Sequence, residues 1–257
     1  IPLPEGSSIG ALTNNSATIN VDAGTLAADG TIAAASIDVA QGATLTTEEA
    51  ERLSNGVALT NDGTVSLGGN ETIGDLSGAG TITNNGNDLA VTQTSDQTFS
   101  GTLSGAGGLT KQGEATLTLS NGSSFTGDAN VNEGALTISG ALATNTINVA
   151  NEAALTTTAA DLLSSGATVT ADGTVTLGGD QTLTTLLGAS TGVVNIGAND
   201  LILTGGADFQ GRISGTNGTV SAGPGDLILG GDNTFTGLLT ILDGSTTTLD
   251  GSVDGNV

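Results

Sequence analysis

The sequence predicts an all-β protein that folds as a β-solenoid, a parallel β-helix in which each short strand stacks on a strand of the next coil. Short apolar alternations recur along the 257 residues, and turn-forming residues separate them. The pattern also repeats after 110 residues, as segments 53–69 and 163–179 show. Many short strands with glycine-rich turns are typical of sandwiches and barrels too, but a long internal repeat favours the solenoid.

The predicted strands are triplets in which two aliphatic residues flank a small or polar residue. This period of two places both aliphatic side chains on one face of a strand. Clusters of Asn, Asp and Gly, such as 61–63 and 84–86, bound the triplets and predict turns. The clearest triplets are 37–39, 57–59, 65–67, 89–91, 117–119 and 136–138.

The repeat defines the predicted domain organisation. All four phenylalanines obey the 110-residue offset, because Phe99 matches Phe209 and Phe125 matches Phe235. Before the first of these pairs the copies drift by two residues, which is typical of loops outside a constant frame. The predicted divisions are an N-terminal segment or cap (1–16), solenoid units 17–126 and 127–236, and the truncated start of a third unit (237–257).

The predicted core consists of thin aliphatic layers. Hydrophobic residues make up 36% of the chain, whereas aromatic residues make up 2%. With about 20–25 residues per coil, we expect about 10–13 coils.

One stretch per unit departs from the β pattern. Residues 46–53 read TTEEAERL, and their copy at 156–163 reads TTTAADLL. A Thr followed by acidic residues is typical of a helix N-terminus. We therefore predict one short helix in each 110-residue unit, which covers an edge of the core at a corner of the coil; a binding protrusion is the alternative.

The composition excludes several classes of function. The chain has no Cys and no His, which excludes a disulfide framework, zinc and haem sites, a catalytic imidazole and a thiol nucleophile. Its cations are Arg52, Lys111 and Arg212, against 26 Asp and Glu and a net charge of −23. Nucleic acid and anionic membranes are therefore poor partners. No segment approaches the about 20 apolar residues of a membrane helix, so we expect no membrane insertion by this segment.

Residues 107–138 carry a resemblance to a known family. They read GGLTKQGEATLTLSNGSSFTGDANVNEGALTI, which resembles the passenger-associated transport repeat of bacterial autotransporters. A later copy, 223–249, keeps the residues Leu227, Leu229, Asn233, Phe235, Thr236, Gly237, Ile241 and Gly244. At the offset of 110, Ser221 replaces Lys111 in that copy.

The resemblance implies a right-handed parallel β-helix exposed on the surface of a Gram-negative bacterium, after secretion by the type V route. It says little about activity, because many different passengers share this repeat. The family's membrane barrel would lie downstream of this segment. A related large repeat adhesin, or a surface layer or filament that uses the same solenoid, is the alternative.

No catalytic residue is predicted. Paired carboxylates could cleave a glycosidic bond, and some β-helices are polysaccharide lyases or hydrolases. The acids mostly occupy turns, however, and we interpret them as solvated turn residues. A Ser–Lys dyad would need Lys111, which we interpret as a surface side chain on a coil. The acids considered are Asp22, Asp62, Asp172, Asp232 and Asp243.

No cofactor site is predicted either, and metal binding is left open. Glycine runs at 78–80 and 105–108 resemble phosphate-binding loops but lack the Lys-Ser/Thr and the helix of a P-loop. Calcium is the possible ligand, because acidic, Asn-rich turns supply oxygens. The β-roll signature GGxGxD is nevertheless missing at 68–71, 178–181 and 230–233.

Threonine strings suggest an ice-binding face. Because they do not recur on every coil, we interpret them as ordinary strand surface. The strings considered are Thr170, Thr174, Thr176 and Thr246 to Thr248.

These observations predict a non-enzymatic, secreted or cell-surface stalk or adhesin passenger that contacts a host or matrix surface. A filament or surface-layer subunit that associates end to end is the alternative, and a carbohydrate-active enzyme on a β-helix ranks third. The chain starts without a leader and ends mid-pattern, so we expect it to be a piece of a longer protein.

Overall fold

The computed structural model describes residues 7–254, and these residues form 33 strands and no helix. The structure confirms the all-β parallel solenoid, with about 12 turns. The chain divides into two compact units between Asp128 and Ala129. Residues 1–6 of the predicted cap and 255–257 of the predicted third unit lie outside the described residues.

The first unit contains sixteen strands among its described residues. They are β1 (Ser7–Ile9), β2 (Leu12–Val21), β3 (Thr25–Ala28), β4 (Ile32–Val39), β5 (Thr44–Thr47), β6 (Ala58–Asn61), β7 (Thr64–Ser66), β8 (Glu71–Ile73), β9 (Leu76–Ser77), β10 (Thr81–Thr83), β11 (Leu89–Thr92), β12 (Gln97–Phe99), β13 (Thr102–Gly105), β14 (Leu109–Gln112), β15 (Thr116–Leu119) and β16 (Ser124–Phe125). Within this unit the strands pair in the orders β1-β3-β5-β7-β10-β13-β16, β2-β4-β6-β9, β8-β11-β14 and β12-β15.

The second unit contains the remaining seventeen strands of the described residues. They are β17 (Ala129–Val131), β18 (Ala135–Ile138), β19 (Thr146–Val149), β20 (Ala154–Thr157), β21 (Thr168–Ala171), β22 (Thr174–Leu177), β23 (Gln181–Leu183), β24 (Thr185–Gly188), β25 (Val193–Gly197), β26 (Leu201–Leu203), β27 (Ala207–Phe209), β28 (Arg212–Gly215), β29 (Val220–Ala222), β30 (Gly225–Leu229), β31 (Thr234–Phe235), β32 (Leu239–Ile241) and β33 (Ser245–Leu249). Their orders within this unit are β17-β19-β21-β24-β27-β30-β33, β18-β20-β22-β25-β28-β31 and β23-β26-β29-β32.

Parallel pairing between successive coils builds both units. In the first unit Thr44 pairs with Thr64, and Leu89 pairs with Leu109, so one coil takes about 20 residues. The inward side chains form continuous aliphatic columns, as the alternating burial of each strand requires. One column in the first unit is Leu26, Leu45, Val65, Ile82 and Leu103. One in the second is Ile147, Val169, Leu186, Ala207 and Leu227.

Phe99 and Phe209 pack against glycines where neighbouring coils approach closely. A Cβ atom on Gly101 would lie 1.8 Å from the carbonyl oxygen of Gly80 and 2.6 Å from Cζ of Phe99. Gly211 stands in the same place beside Phe209, where its Cβ atom would also lie 2.6 Å from Cζ. Because a larger residue would force the coils apart, only glycine fits two residues after these aromatic rings.

The predicted short helices are wrong. Residues 48–51 and 158–161 are bends and turns, and the first and last N–H groups of each segment bind neighbouring coils. Glu48 donates to the carbonyl of Ala28, and Glu51 donates to the carbonyl of Asn70. Glu51 and Asp161 also have φ of 54° and 53°, outside the helical region. The N–H groups of so short a segment gain more from carbonyls on other coils than from a single helical turn.

We expect Phe235→Ala to destabilise the second unit strongly. Phe235 is fully buried, and removing such a ring typically costs about 3–5 kcal/mol. Leu242→Ala is the matched control because Leu242 is 49% exposed, and we expect its effect to stay within about 0.5 kcal/mol. Chemical denaturation measures both free energies of unfolding. Equal losses in the two variants would contradict the assignment of Phe235 to the core.

Candidate functional site

The carboxylates of the turns bind backbone N–H groups of the next coil. Asp62 Oδ1 accepts the N–H of Ala79 at 2.9 Å, and its copy Asp172 accepts the N–H of Ala189 at 2.8 Å. These acids therefore fasten one turn to another within each unit. The remaining acids named from the sequence lie at the surface: Asp232 accepts the hydroxyl of Ser252 at 3.1 Å, and Asp22 and Asp243 are exposed.

A second file of turn residues does the same work at another corner. Asp88 Oδ1 accepts the N–H of Gly108, and Asp180 Oδ1 accepts the N–H of Asp200, each at 2.8 Å. Asp200 Oδ1 in turn accepts the hydroxyl of Thr219 at 2.6 Å. Among residues 7–254, no three acidic side chains lie together in a way that could hold a metal ion.

The glycine runs use their N–H groups inside the solenoid. Gly80 donates to the carbonyl of Asn61 at 2.7 Å, and Gly107 donates to Asn84 Oδ1 at 3.0 Å. A phosphate would have to displace these bonds, so the runs act as tight corners.

Asp75 is the most heavily hydrogen-bonded acid that sequence reasoning missed. Its Oδ2 accepts the hydroxyls of Ser95 at 2.7 Å and Thr94 at 3.1 Å, and its Oδ1 accepts both backbone N–H groups. Burial acts to raise the pKa of Asp75, but these hydrogen bonds outweigh it and hold the pKa below its usual value. Asp75 is thus a structural anion that stays ionised.

Glu71 is a buried carboxylate at the start of β8, and it is 1% exposed. Its two oxygens accept the N–H groups of Arg52 at 3.0 Å and Leu53 at 2.9 Å. Burial raises the pKa of Glu71, and the charge of Glu51 adds to this, while the backbone hydrogen bonds and Thr47 oppose it. The sequence drew attention to this residue only as part of the incomplete GGxGxD signature at 68–71.

Gln181 occupies the same place in the second unit without a charge. Its Oε1 accepts the N–H of Leu163 at 3.1 Å, and its Nε2 donates to the carbonyl of Ala159 at 2.8 Å. The fold therefore accepts a neutral amide at this position, which makes the pair a natural comparison.

Lys111 is buried, so its interpretation as a surface side chain is wrong. It lies in an inward column after Ile73 and Val91, and its Nζ donates to the carbonyls of Gln112 at 2.9 Å and Gly113 at 2.7 Å. A long aliphatic stem lets Lys fill a core column while its ammonium binds carbonyls at the corner.

The structural counterpart of Lys111 also differs from the one that a 110-residue offset gives. Leu89 pairs with Leu109, and Leu201 pairs with Val220, so Val220 takes the place of Leu109. Lys111 therefore corresponds to the buried Ala222 rather than to Ser221, because the copies are still one residue out of step here.

Two open depressions lie on the surface of the described residues. In the second unit an open depression of about 270 Å³ is lined by Asn132, Asn148, Val149, Ala150, Thr170 and Asp172. In the first unit another of similar size is lined by Gln93, Thr94, Gly113, Glu114 and Ala115. Each lining contains one Thr and one acid, but neither threonine hydroxyl is hydrogen-bonded to the acid of its own depression, as an activated nucleophile would be.

We expect Glu71→Gln to change how stability depends on pH. Folded Glu71 holds its proton more tightly than the unfolded chain does, so stability falls as pH rises from the ordinary pKa of Glu through the raised pKa. The melting temperature of the variant should therefore gain on the natural chain between about pH 4 and pH 7. Thermal denaturation at both pH values measures this gap.

The reciprocal substitution is the control for this prediction. Gln181→Glu places the carboxylate in the second unit, and we expect it to lose stability over the same pH interval. A gap between Glu71→Gln and the natural chain that is the same at both pH values would contradict a buried, proton-holding Glu71.

Among residues 7–254 no helix is long and apolar enough to cross a membrane.

Comparison with known proteins identifies one family repeat in the chain. No curated protein and no solved structure matches the chain. A family model described as the passenger-associated transport repeat matches residues 109–138 and 220–251. The chain thus carries this transport repeat twice, which confirms the resemblance and is consistent with an autotransporter passenger domain.

Proposed function

We propose that the chain is a non-enzymatic stalk in an autotransporter passenger, a right-handed β-helix displayed outside a Gram-negative cell. One observation carries the proposal: two transport repeats lie in a parallel solenoid whose turn carboxylates bind the backbone of the next coil. Side chains used in this way hold the coils together and are not free for chemistry.

The mechanism of such a stalk is mechanical. Each coil satisfies the backbone groups of the next, and aliphatic columns replace a globular core. Turn acids add bonds in the same direction, between one coil and the next. Bending or unzipping a unit therefore requires the loss of backbone, side-chain and apolar contacts together.

The proposed partner is a host or matrix surface, with adhesion as the function of the complete passenger. The net charge of −23 favours cationic patches over phosphates. Of the three cations, Lys111 is buried and Arg52 forms an ion pair with Glu49, which supports the exclusion of nucleic acid. We propose no cofactor, and calcium binding is the alternative that a direct experiment decides.

A self-associating filament is the second candidate, and exposed apolar residues on and beside β32 and β33 favour it. Leu238, Ile241, Leu242 and Leu249 are each 37% or more exposed. Exposed apolar surface is typical of a protein interface where such residues adjoin one another. The charge of −23 opposes the approach of a second copy, so we place the stalk first.

We expect antibodies raised against this chain to label intact cells of the source bacterium. The expected result is labelling that external protease removes without cell lysis, because a passenger lies outside the outer membrane. A periplasmic protein serves as the control for intactness. Labelling that appears only after permeabilisation would overturn the proposed location.

We expect the purified chain to melt at the same temperature with calcium and with a chelator. This expectation rests on the absence, among residues 7–254, of three acidic side chains that could hold a metal together, because bound calcium would raise the melting temperature. A rise in melting temperature with calcium would establish a metal site.

We also expect the purified chain to release no products from a panel of polysaccharides. Product release that the substitution of one acid abolishes would establish an enzyme.

We expect the purified chain to stay monomeric at micromolar concentration. Light scattering after gel filtration, and electron microscopy, measure this directly. Filaments that Leu242→Asp abolishes would favour the second candidate over the stalk.

A further inference from the structure

One sheet of the first unit presents a regular file of threonines beside a second file of Ala, Thr and Ser, and we call the two files together the threonine face. Its outer file runs along five successive strands, from β3 to β13. Its inner file also faces outward and lies two residues further along each strand. The outer file is Thr25, Thr44, Thr64, Thr81 and Thr102, and the inner file is Ala27, Thr46, Ser66, Thr83 and Ser104.

The register places these side chains on a lattice. Neighbouring strands lie about 4.8 Å apart, and residues i and i+2 lie about 6.6 Å apart along a strand. All ten positions alternate with buried core residues and are exposed or half-buried. Neighbouring hydroxyls also contact one another, as Thr102 does by donating to Thr81 Oγ1 at 3.4 Å.

The parallel pairing of the strands does not require threonine at the five positions of the outer file. In the second unit the equivalent file follows the same strand pairings, but it reads Ala135, Ala154, Thr174, Val193 and Arg212. These strands form with Ala, Val or Arg where the first unit has Thr. The β preference of Thr is therefore not enough to explain five threonines in succession.

The chemistry of the face selects a class of ligand. The chain has 26 acidic residues, yet none of the ten positions is charged. Each Thr offers a hydroxyl that both donates and accepts, next to a methyl group. Crystalline polysaccharide usually requires exposed aromatic rings for stacking, but the chain has no Trp or Tyr and all four Phe are buried.

We propose that the threonine face binds ice. Ice presents water oxygens in a repeating lattice, and an uncharged, regularly spaced set of hydroxyl and methyl groups can hold an ordered layer of water. The inference goes beyond a stalk, because it gives the first unit a ligand of its own. The threonines of this face lie on different coils, so they are less conspicuous in the sequence than the strings at 170–176 and 246–248.

The test uses the purified 257-residue chain and ice as the probe. We expect inhibition of ice recrystallisation and thermal hysteresis in an osmometer. Thr64→Arg places a bulky charge at the centre of the outer file and should abolish both. Thr174→Arg is the matched control, because Thr174 has the same position in the second unit, and it should keep both activities.

A second variant guards against misfolding. The triple change Thr44→Ala, Thr81→Val and Thr102→Arg introduces the second-unit residue at three of the four positions where the two files differ, and the second unit already forms strands with these residues. It should keep the melting temperature and lose ice activity. The proposal is overturned if the natural chain has no more activity than an equal concentration of albumin, or if Thr174→Arg reduces it as much as Thr64→Arg.

Discussion

Everything in this protein depends on the hydrogen bonds that each coil makes with the next. The backbone N–H and C=O groups of these parallel strands point along the direction of stacking. The hydrogen bonds of one coil are therefore complete only when another coil stacks on it. This requirement explains why residues about 20 positions apart have matching characters, as Leu89 and Leu109 do. It also explains why polar turn residues such as Asp62 reach across to the next turn instead of to solvent.

The same requirement shapes the candidate sites. A carboxylate at a corner can accept a neighbouring N–H or bind an external ligand, and the corners around Asp88 and Asp172 use the first option. The side chains left for recognition are those on the outer faces of the sheets, where some hydroxyls also bond to the neighbouring coil, as Thr102 does to Thr81. Function in such a fold therefore belongs to patterns spread over several coils.

The sequence predicted the class of fold because alternation and repetition are properties of the chain itself. It did not predict the turns at 48–51, because a Thr-Glu-Glu run suits a helix N-terminus unless a distant acceptor such as Asn70 captures its N–H groups. It misplaced Lys111 because the copies are one residue out of step there, and the burial of a side chain depends on strict register. The array around Thr64 could not be predicted from the sequence, because its members lie on different coils and only the pairing of strands aligns them.

The slip between the copies, which aligns Leu109 with Val220 while the phenylalanines keep their spacing, has a consequence for how such proteins lengthen and diverge. A corner absorbs an inserted or deleted residue, and the strands on either side return to the same columns. Gene duplication can therefore add whole blocks of coils. Each block can then gain or lose residues in its turns without any repacking of the core. The chain is thus a tandem array whose blocks can evolve separately while they keep the same register of stacked strands.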